Sequence, residues 1–232
     1  MSQGFFLTFE GPDGSGKSTQ LRLLAQVLQQ QGRPFVLTRQ PGGTALGERI
    51  RGLLLGPKTD AKTDDKASSI APLAEMALMF ADRAQSIHET IAPALAAGKI
   101  VLCDRFTDST EAYQGGGRGL GSAPVLELHR ILCGNLQPDL TILLLPDLEA
   151  SLARARRRNT RQQHTGQDGD RFEQEDRAFH QRVYAKYREI AARDTARVLP
   201  IEGALSIEVT HDRILHAVVE RMRAVGIFLT EA

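Results

Sequence analysis

The sequence has 232 residues, of which 41% are hydrophobic and 25% are charged, and its formal net charge at pH 7 is +1. This composition is ordinary for a globular protein, and a net charge near zero excludes the broad electrostatic field of a general nucleic-acid or membrane binder. The length fits one α/β domain with at most a small lid, so we predict a single domain over residues 1–232.

We expect neither a targeting segment nor a membrane span. Met1–Gly4 contains no basic residue, and the apolar run that follows it, Phe5–Phe9, is too short for a signal peptide. No apolar run approaches the roughly 20 residues of a membrane-spanning helix. The two cysteines, Cys103 and Cys133, are expected to be free buried thiols in a reducing compartment. These features together predict a cytoplasmic protein.

The first predicted strand, Phe5–Phe9, is followed directly by a glycine-rich motif. Gly11–Ser18 matches G-x-x-x-x-G-K-[ST] at every fixed position. The glycines of such a loop let backbone N–H groups converge on phosphate oxygens beside a helix N-terminus. Lys17 can neutralise the β- and γ-phosphates of ATP, and the Ser18 hydroxyl can bind Mg²⁺. A helix follows, whose apolar residues share one face: Leu21, Leu24, Ala25 and Leu28.

Further apolar runs alternate with helical patterns along the chain. They predict four more strands, at Phe35–Leu37, Ile100–Cys103, Leu140–Leu145 and Arg197–Ile201. Near-continuous apolar strands separated by helices indicate a parallel sheet covered on both faces. With the P-loop, this pattern predicts a three-layer α/β fold around a five-stranded parallel sheet. The last helix is predicted over Ile207–Val225, with an apolar face formed by Ile214, Val218 and Met222.

Two polar segments interrupt this alternation. Pro57–Ser69 is rich in Lys, Asp, Thr and Ser, and we expect a solvated loop there. Residues 154–170 begin with clustered arginines, which continue a helix from Leu148, and go on through Gln, His, Thr and Gly. The later half has the composition of a mobile segment, so we predict a short lid over about residues 154–172.

Asp104 ends the apolar run of the third strand. In P-loop folds a carboxylate at this position lies near the Mg²⁺ ion. Short apolar runs that end in Asp are common, so the interpretation depends on the preceding P-loop and on Arg105, which follows directly. We predict a Mg²⁺ site at Ser18 and Asp104.

The arginines narrow the class of P-loop protein. The sequence has no N-K-x-D motif, with which G-proteins bind guanine, and motor and transporter ATPases normally need larger chains or partner subunits. A small phosphotransferase must bind two anionic substrates and therefore needs many arginines. The sequence supplies them at Arg39, Arg83, Arg105, Arg118 and within residues 154–161.

With these features, the sequence closely resembles the thymidylate kinase family. The matching segments appear in the family's order and extend over nearly the whole chain. The resemblance implies ATP and dTMP as substrates, dTDP as product, Mg²⁺ as cofactor and a homodimer. The segments are Phe9–Thr19, Thr38–Thr44, Ala81–Gln85, Asp104–Phe106, Ala112–Gly119, Pro138–Thr141 and Asp170–Glu173.

The resemblance implies an ATP site that combines the P-loop, the residue after it and an arginine of the lid. In the acceptor site, Asp13 would contact the sugar 3′-hydroxyl, and Arg39 and Arg105 would hold the phosphate. Tyr113 would pack under the deoxyribose and exclude a 2′-hydroxyl. The predicted ATP-binding residues are Gly11, Pro12, Asp13, Gly14, Ser15, Gly16, Lys17, Ser18, Thr19 and Arg154.

The same resemblance implies which residues contact the thymine base. Arg83 would donate to thymine O4, where cytosine instead carries a donor, and Ser109 and Gln114 lie where the family contacts the base. The aromatic residue that stacks on thymine usually lies four positions before this arginine. Here that position is Met79, and Phe80 comes one residue later. Either the helix is locally shifted and Phe80 contacts the base, or Met79 covers it.

Several members of the family carry a catalytic arginine in the P-loop, but the variable positions of Gly11–Ser18 include no basic residue. The lid must then supply it, as in the bacterial-type branch. Arg158 falls in the closest register, with Arg154 and Arg156 as alternatives. A second departure is Gln40, which stands where the family usually has Glu. The predicted catalytic residues are Lys17, Arg39, Arg105 and Arg158.

Alternative interpretations remain at this stage. Arg39 and Arg105 could be ordinary salt-bridge partners at strand ends, and Tyr113 and Phe80 could be core aromatics. The arginine cluster could be a solvated helix face or a nucleic-acid patch, but the lack of interleaved aromatics and of overall basicity disfavours nucleic-acid binding. The alternative enzyme is another nucleoside or nucleotide kinase of the same fold. A nucleotide-dependent switch protein would keep the P-loop but transfer phosphate to no monophosphate.

Overall fold

A computed structural model of the protein describes residues 4–55, 70–163, 172 and 175–229, with the backbone alone for residues 158–163. The predicted loop Pro57–Ser69 lies outside the described residues. The strands are β1 (Phe5–Glu10), β2 (Phe35–Arg39), β3 (Ile100–Asp104), β4 (Leu140–Leu145) and β5 (Val198–Glu202).

Helices connect these strands throughout the described ranges. Two π-helical turns, Ile87–Ile91 and Glu111–Gly117, continue the helices that precede them. The helices are α1 (Lys17–Gln30), α2 (Ala45–Leu55), α3 (Pro72–Ser86), α4 (Ala92–Ala96), α5 (Thr107–Thr110), α6 (Ser122–Leu132), α7 (Leu148–Gln163), α8 (Arg177–Arg193) and α9 (Ile207–Ala224).

The strands form one five-stranded sheet in the order β2-β3-β1-β4-β5, and every pair is parallel. The predicted α/β fold with a five-stranded parallel sheet is therefore confirmed. In the register, Asp104 of β3 is aligned with both Phe9 of β1 and Arg39 of β2. The carboxyl ends of these three strands consequently meet at one edge of the sheet, where open α/β sheets bind their ligands.

Both faces of the sheet are covered by helices. Phe5, Leu7 and Phe9 alternate with Phe6 along β1, and the two sets pack in different core clusters because strand side chains alternate between faces. On the first face, α1 and α9 complete the cluster. The predicted apolar side of the last helix is confirmed, since three of its residues have no exposed surface: Ile214, Val218 and Met222.

The expectations about the cysteines and about membrane-spanning helices can also be compared with the structure. Cys103 and Cys133 are both buried and free of disulfides, as predicted. Among the helices that the structure describes, none has the length and apolar character needed to cross a membrane.

Glu10, the last residue of β1, is fully buried and joins this strand to the segment after β3. Its carboxylate accepts a hydrogen bond of 2.6 Å from the backbone N–H of Phe106 and another from the Ser109 hydroxyl. Burial, together with the nearby charge of Asp108, raises the pKa of Glu10 to about 7. The carboxyl group therefore holds α5 against the end of β1 that leads into the glycine-rich loop.

This raised pKa predicts a pH-dependent contribution to stability. Between pH 4.5 and 7 the folded protein keeps a proton on Glu10 that the unfolded chain has lost, so stability falls as the pH rises. We expect the free energy of unfolding of the wild type, relative to Glu10→Gln, to fall by on the order of 2 kcal/mol from pH 5 to 7.5. Urea titrations at several pH values measure this difference.

The exposed carboxylate of Glu127 offers a matched control, because its hydrogen bond from Arg130 lowers its pKa. Glu127→Gln should therefore change stability by the same amount at every pH in this range. A constant difference between the wild type and Glu10→Gln from pH 5 to 7.5 would show that Glu10 stays ionised throughout.

Candidate active site

The loop between β1 and α1 has a backbone that only glycine can supply at several positions. Gly11, Gly14 and Gly16 have φ angles of 130°, 74° and 101°. A Cβ atom on Gly11 would lie 2.2 Å from the Leu144 carbonyl oxygen, and one on Gly14 would lie 2.3 Å from that of Ser151. The loop is thus packed closely between β4 and α7, with its backbone curled over the first turn of α1.

Lys17, the first residue of α1, lies inside this loop. Its ammonium group donates hydrogen bonds of 2.9 Å to the carbonyl oxygens of Gly11 and Pro12 and is almost fully buried. Burial, with the neighbouring charge of Arg105, lowers the pKa of Lys17 to about 8. A cation is thus positioned where the phosphates of a bound nucleotide would lie. The structure brings the predicted ATP-binding residues of the loop, from Gly11 to Thr19, into this one turn.

Ser18 and Asp104 meet at the mouth of the loop. The Ser18 hydroxyl donates a hydrogen bond of 3.2 Å to Oδ2 of Asp104. The other carboxylate oxygen, Oδ1, is buried and has no hydrogen-bond partner among the described residues. The described chain contains no cluster of three or more His, Cys, Asp or Glu that could hold a metal by itself. A hydroxyl and a carboxylate nevertheless fit Mg²⁺, which takes few protein oxygens and fills its shell from phosphates and water.

The guanidinium of Arg105 joins the loop to α5. It lies 2.6 Å from the Asp13 carboxylate and 3.1 Å from the Gly11 carbonyl oxygen, and it donates a hydrogen bond of 3.0 Å to the Ser109 hydroxyl. It also covers the ring of Tyr113, 5.1 Å from the ring centroid. Arg105 adopts φ = 70°, an uncommon value for a residue other than glycine. Backbone strain of this kind is concentrated at functional sites.

Tyr113 fixes the other side of Asp13. Its hydroxyl donates a hydrogen bond of 2.9 Å to Oδ2 of Asp13, while Arg105 holds Oδ1. The ring packs edge-on against Phe172 and Phe179. Asp13 therefore has both carboxylate oxygens held in place at the border between the glycine-rich loop and the helices beside it.

Arg39 occupies the same sheet edge but has a different partner. Its guanidinium donates to both carboxylate oxygens of Glu48, each at 3.0 Å, and about half of its side chain is exposed. Glu48 also accepts a hydrogen bond from the backbone N–H of Gly43, and this bond together with Arg39 lowers the pKa of Glu48. The exposed guanidinium is thus oriented by a carboxylate that the sequence analysis did not identify.

Arg83 is buried, with 2% of its surface exposed. It donates hydrogen bonds to the side-chain oxygen of Gln40 at 2.8 Å, the carbonyl of Phe106 at 3.0 Å and the hydroxyl of Thr110 at 2.8 Å. Its remaining nitrogen, Nη1, is buried with no hydrogen-bond partner in the part of the chain that the structure describes. Gln40, noted above as a departure from the family, thus orients Arg83 through a neutral contact.

The position of Phe80 differs from what a base-stacking residue requires. Its ring has no exposed surface and lies under the Arg83 guanidinium, 4.9 Å from it, in a cluster with Met76. Helix α3 is continuous from Pro72 to Ser86, so no local shift brings Phe80 into register. Met79 retains a little exposure and packs in the cluster of Tyr113. Of the two alternatives, only Met79 has a partly exposed side chain, and which of them covers a bound base stays a prediction.

Ser109 and Gln114, the other two predicted base contacts, are both buried. The Ser109 hydroxyl lies between Glu10, to which it donates, and Arg105, from which it accepts. The amide of Gln114 donates a hydrogen bond of 2.8 Å to Glu75, and its oxygen has no partner within the described ranges. The Ser109 hydroxyl is therefore already bonded to Arg105, whereas the side-chain oxygen of Gln114 has no partner among the described residues.

The predicted lid begins on α7, which passes over the glycine-rich loop. Arg154 donates a hydrogen bond of 2.7 Å to the Gly14 carbonyl oxygen, so the helix presents an arginine to the loop. Arg158 lies one turn further along α7, and its side chain is outside the described residues. Most of the predicted lid beyond Gln163 is also outside them.

Sequence reasoning missed several buried carboxylates that support these residues. Besides the buried Glu10 and Glu75, Asp82 accepts a hydrogen bond of 2.8 Å from the backbone N–H of Gly42, whereas Glu48, which pairs with Arg39, is about half exposed. Burial raises the pKa of Asp82 to about 6. The sequence feature that could have identified these carboxylates is an acidic residue within an otherwise apolar stretch, as at Glu10 and Glu75.

Comparison with known proteins identifies the family. The sequence pattern described as thymidylate kinase matches residues 9–214. Among the relatives is a thymidylate kinase from Pelobacter propionicus, 42% identical over 217 residues that make up 94% of each chain. Another, from Gloeobacter violaceus, is 46% identical over 213 residues, which are 92% of this chain and 93% of the relative.

A solved structure agrees with these sequence matches. The crystal structure of thymidylate kinase from Ehrlichia chaffeensis superposes with a TM-score of 0.70 at 31% identity, covering 93% of this chain and 98% of that one. The chain therefore belongs to the thymidylate kinase family.

Proposed function

We propose that this protein transfers the γ-phosphoryl group of ATP to dTMP, giving ADP and dTDP for the synthesis of dTTP. The observation that carries the choice of acceptor is Arg83, a buried guanidinium with one nitrogen free of partners in the described chain. A buried donor without a partner costs about 1–3 kcal/mol, and binding sites are where such groups are expected. Thymine supplies the matching acceptor at O4.

The donor side of the site is the glycine-rich loop. Its backbone N–H groups and the N-terminus of α1 hold the ATP phosphates, and Lys17 exchanges the carbonyls of Gly11 and Pro12 for phosphate oxygens. Ser18 and Asp104 hold Mg²⁺, and the unpartnered Oδ1 of Asp104 fits this role. When bound there, Mg²⁺ would supply positive charge against the phosphates of ATP.

The acceptor side is arranged around Arg105. Its guanidinium and that of Arg39 hold the phosphate of dTMP, while Asp13 accepts a hydrogen bond from the sugar 3′-hydroxyl. Tyr113 packs under the deoxyribose and leaves no room for a 2′-hydroxyl. The contact between Arg105 and Asp13, at 2.6 Å, supports this arrangement because it joins the acceptor residues to the donor loop.

The reaction needs positioning and positive charge more than it needs a base. The acceptor phosphate is already anionic, so one of its oxygens can attack the γ-phosphorus without losing a proton first. A bond forms between these atoms as the bond from the γ-phosphorus to the bridging oxygen breaks, and ADP leaves. Arg105 acts on the acceptor phosphate, Lys17 on the migrating group, and Arg158 of the lid completes the positive charge around it.

Recognition of the base rests on two groups. Nη1 of Arg83 donates to O4, and the free oxygen of Gln114 accepts from the N3–H of thymine. Met79 covers the ring, and Phe80 supports Arg83 from the buried side. Cytosine presents a donor at position 4 and an acceptor at N3, so both contacts would be mismatched.

The remaining proposals concern organisation. We infer one kinase domain over residues 1–232 with a lid at about 154–172, and a homodimer in the cytoplasm that binds neither nucleic acid nor membrane. Exposed leucines on three adjacent helices support the dimer: Leu53 of α2, Leu73 of α3 and Leu126 of α6. The two free buried thiols are typical of a reducing compartment.

The first prediction from this proposal concerns the acceptor. With Mg²⁺ and ATP, the purified protein should phosphorylate dTMP with a kcat/KM at least about a hundredfold above that for dCMP, because two buried groups would face mismatched atoms. A coupled assay of ADP formation with dTMP, dCMP, dGMP and AMP measures this directly. Equal turnover of dCMP would refute thymine selection, and no turnover of any monophosphate would indicate a nucleotide-dependent switch.

A second prediction concerns the cation in the loop. Lys17→Ala should lower kcat by several orders of magnitude, because the charge beside the migrating phosphoryl group is lost. Lys99→Ala is the matched control, since Lys99 is exposed and precedes β3 at the opposite end of the strands. Near-normal turnover by a folded Lys17→Ala protein would mean that this loop does not bind the transferring phosphate.

The third prediction concerns the lid arginine. An arginine supplied within the chain to the migrating phosphoryl group can raise the rate by a thousandfold or more, in order of magnitude. Arg158→Ala should therefore lower kcat far more than it raises KM for dTMP, the pattern of an interaction made in the transition state. Steady-state kinetics of Arg154→Ala, Arg156→Ala and Arg158→Ala identify the residue.

Arg188→Ala provides the control for this series, because Arg188 of α8 is an exposed arginine that pairs with Glu202 of β5. A greater loss of kcat in Arg154→Ala or Arg156→Ala would move the catalytic arginine to that position. Full activity of all three lid variants would rule out a catalytic role for the segment.

A further inference from the structure

Helix α3 and the helical segment 107–117 pack along rows of polar contacts beside the proposed base site. At one end, Arg83 donates to the Thr110 hydroxyl at 2.8 Å. At the other end, Gln114 donates to the Glu75 carboxylate at 2.8 Å. Met79 lies between Glu75 and Arg83 on the same face of α3, since these residues are four positions apart. Nη1 of Arg83 and Oε1 of Gln114, which have no partner among the described residues, therefore belong to one row, on either side of Met79.

Glu75 leaves the amide of Gln114 a single orientation. The Glu75 side chain has no exposed surface, and Arg118 donates to both of its oxygens, at 3.1 and 3.0 Å. A carboxylate offers acceptors only, so Gln114 must turn its NH₂ group toward Glu75. The amide oxygen is then directed away from Glu75. Without Glu75, the two ends of the amide could exchange places, because they are almost equal in size.

We propose that Glu75 is a positioning residue for base selection, which fixes the amide of Gln114 so that its oxygen faces the substrate. This inference rests on the proposed function and extends it to a residue that contacts no substrate atom. The fixed oxygen accepts from N3–H of thymine and faces an acceptor, N3, in cytosine. An amide free to turn would offer its NH₂ group to cytosine N3, and discrimination would weaken.

The test compares two substrates in one variant. Glu75→Gln keeps the size of the side chain but supplies a donor, so Gln114 can turn either way. We expect KM for dTMP to rise, the dTMP-to-dCMP ratio of kcat/KM to fall at least tenfold, and KM for ATP to stay unchanged. Glu75→Asp, which keeps a charge for Arg118 but withdraws the carboxylate from Gln114, should act in the same direction and replaces Glu75→Gln if that protein does not fold.

A matched control separates base selection from general loosening. Glu111 is also a buried carboxylate on segment 107–117, and Arg193 donates to both of its oxygens, at 2.6 and 2.8 Å. Glu111→Gln should therefore leave the dTMP-to-dCMP ratio at the wild-type value, whatever it does to stability. An equal fall of the ratio in Glu111→Gln would overturn the proposal, because the effect would then belong to the whole helix.

A double variant tests whether Glu75 acts through Gln114. In a Gln114→Ala background, Glu75→Gln should produce no further change in the ratio. An unchanged ratio in a folded Glu75→Gln protein, or an undiminished effect in the Gln114→Ala background, would overturn the inference. Failure of the proposed function looks different, since the wild type itself would then show no preference for dTMP.

Discussion

The carboxylate of Asp13 and the guanidinium of Arg105 lie 2.6 Å apart, and the arrangement of the site depends on this contact. Asp13 belongs to the glycine-rich loop, and Arg105 follows the neighbouring strand β3. Because β1 and β3 are adjacent and parallel, the sheet brings both residues to the same edge. The left-handed backbone at Arg105 and the buried Glu10, which holds the segment after it, maintain the guanidinium at this position. In the proposed function, the donor and acceptor sites therefore share one charged contact.

Three buried polar atoms in the rest of the site have no hydrogen-bond partner among the described residues. Within the described chain, Asp104, Arg83 and Gln114 each keep one buried polar atom free of hydrogen bonds. Each such atom costs roughly 1–3 kcal/mol in the free protein. These three atoms are explained if a cation and a base with an adjacent acceptor and donor complete their hydrogen bonding. Glu75 holds Gln114 in place, and Gln40 and Thr110 hold Arg83, so these two groups are already oriented before a base binds.

The sequence predicted the parts of this arrangement that depend on local spacing. The glycine-rich loop, the five strands and the apolar face of α9 follow from residue type and period, and the structure agrees with them. The supporting carboxylates could not be predicted in the same way, because Glu75 and Gln114 are 39 positions apart and meet only after α3 packs on segment 107–117. The choice between Met79 and Phe80 stayed open for a related reason. One position along a helix turns a side chain by about 100°, and the exposure of each side chain depends on how α3 packs against its neighbours.

The central claim is that two nucleotides bind end to end across the contact between Asp13 and Arg105. A ligand that joins both nucleotides tests this claim. Calorimetry would measure the affinity of a compound in which adenosine and thymidine are joined through five phosphates, beside ATP and dTMP alone. Because linking makes the second binding event intramolecular, the joined compound should bind at least about a hundredfold tighter than either nucleotide. The analogue with two adenosines should lose most of this gain. Affinity for the thymidine compound no greater than for ATP would contradict the account.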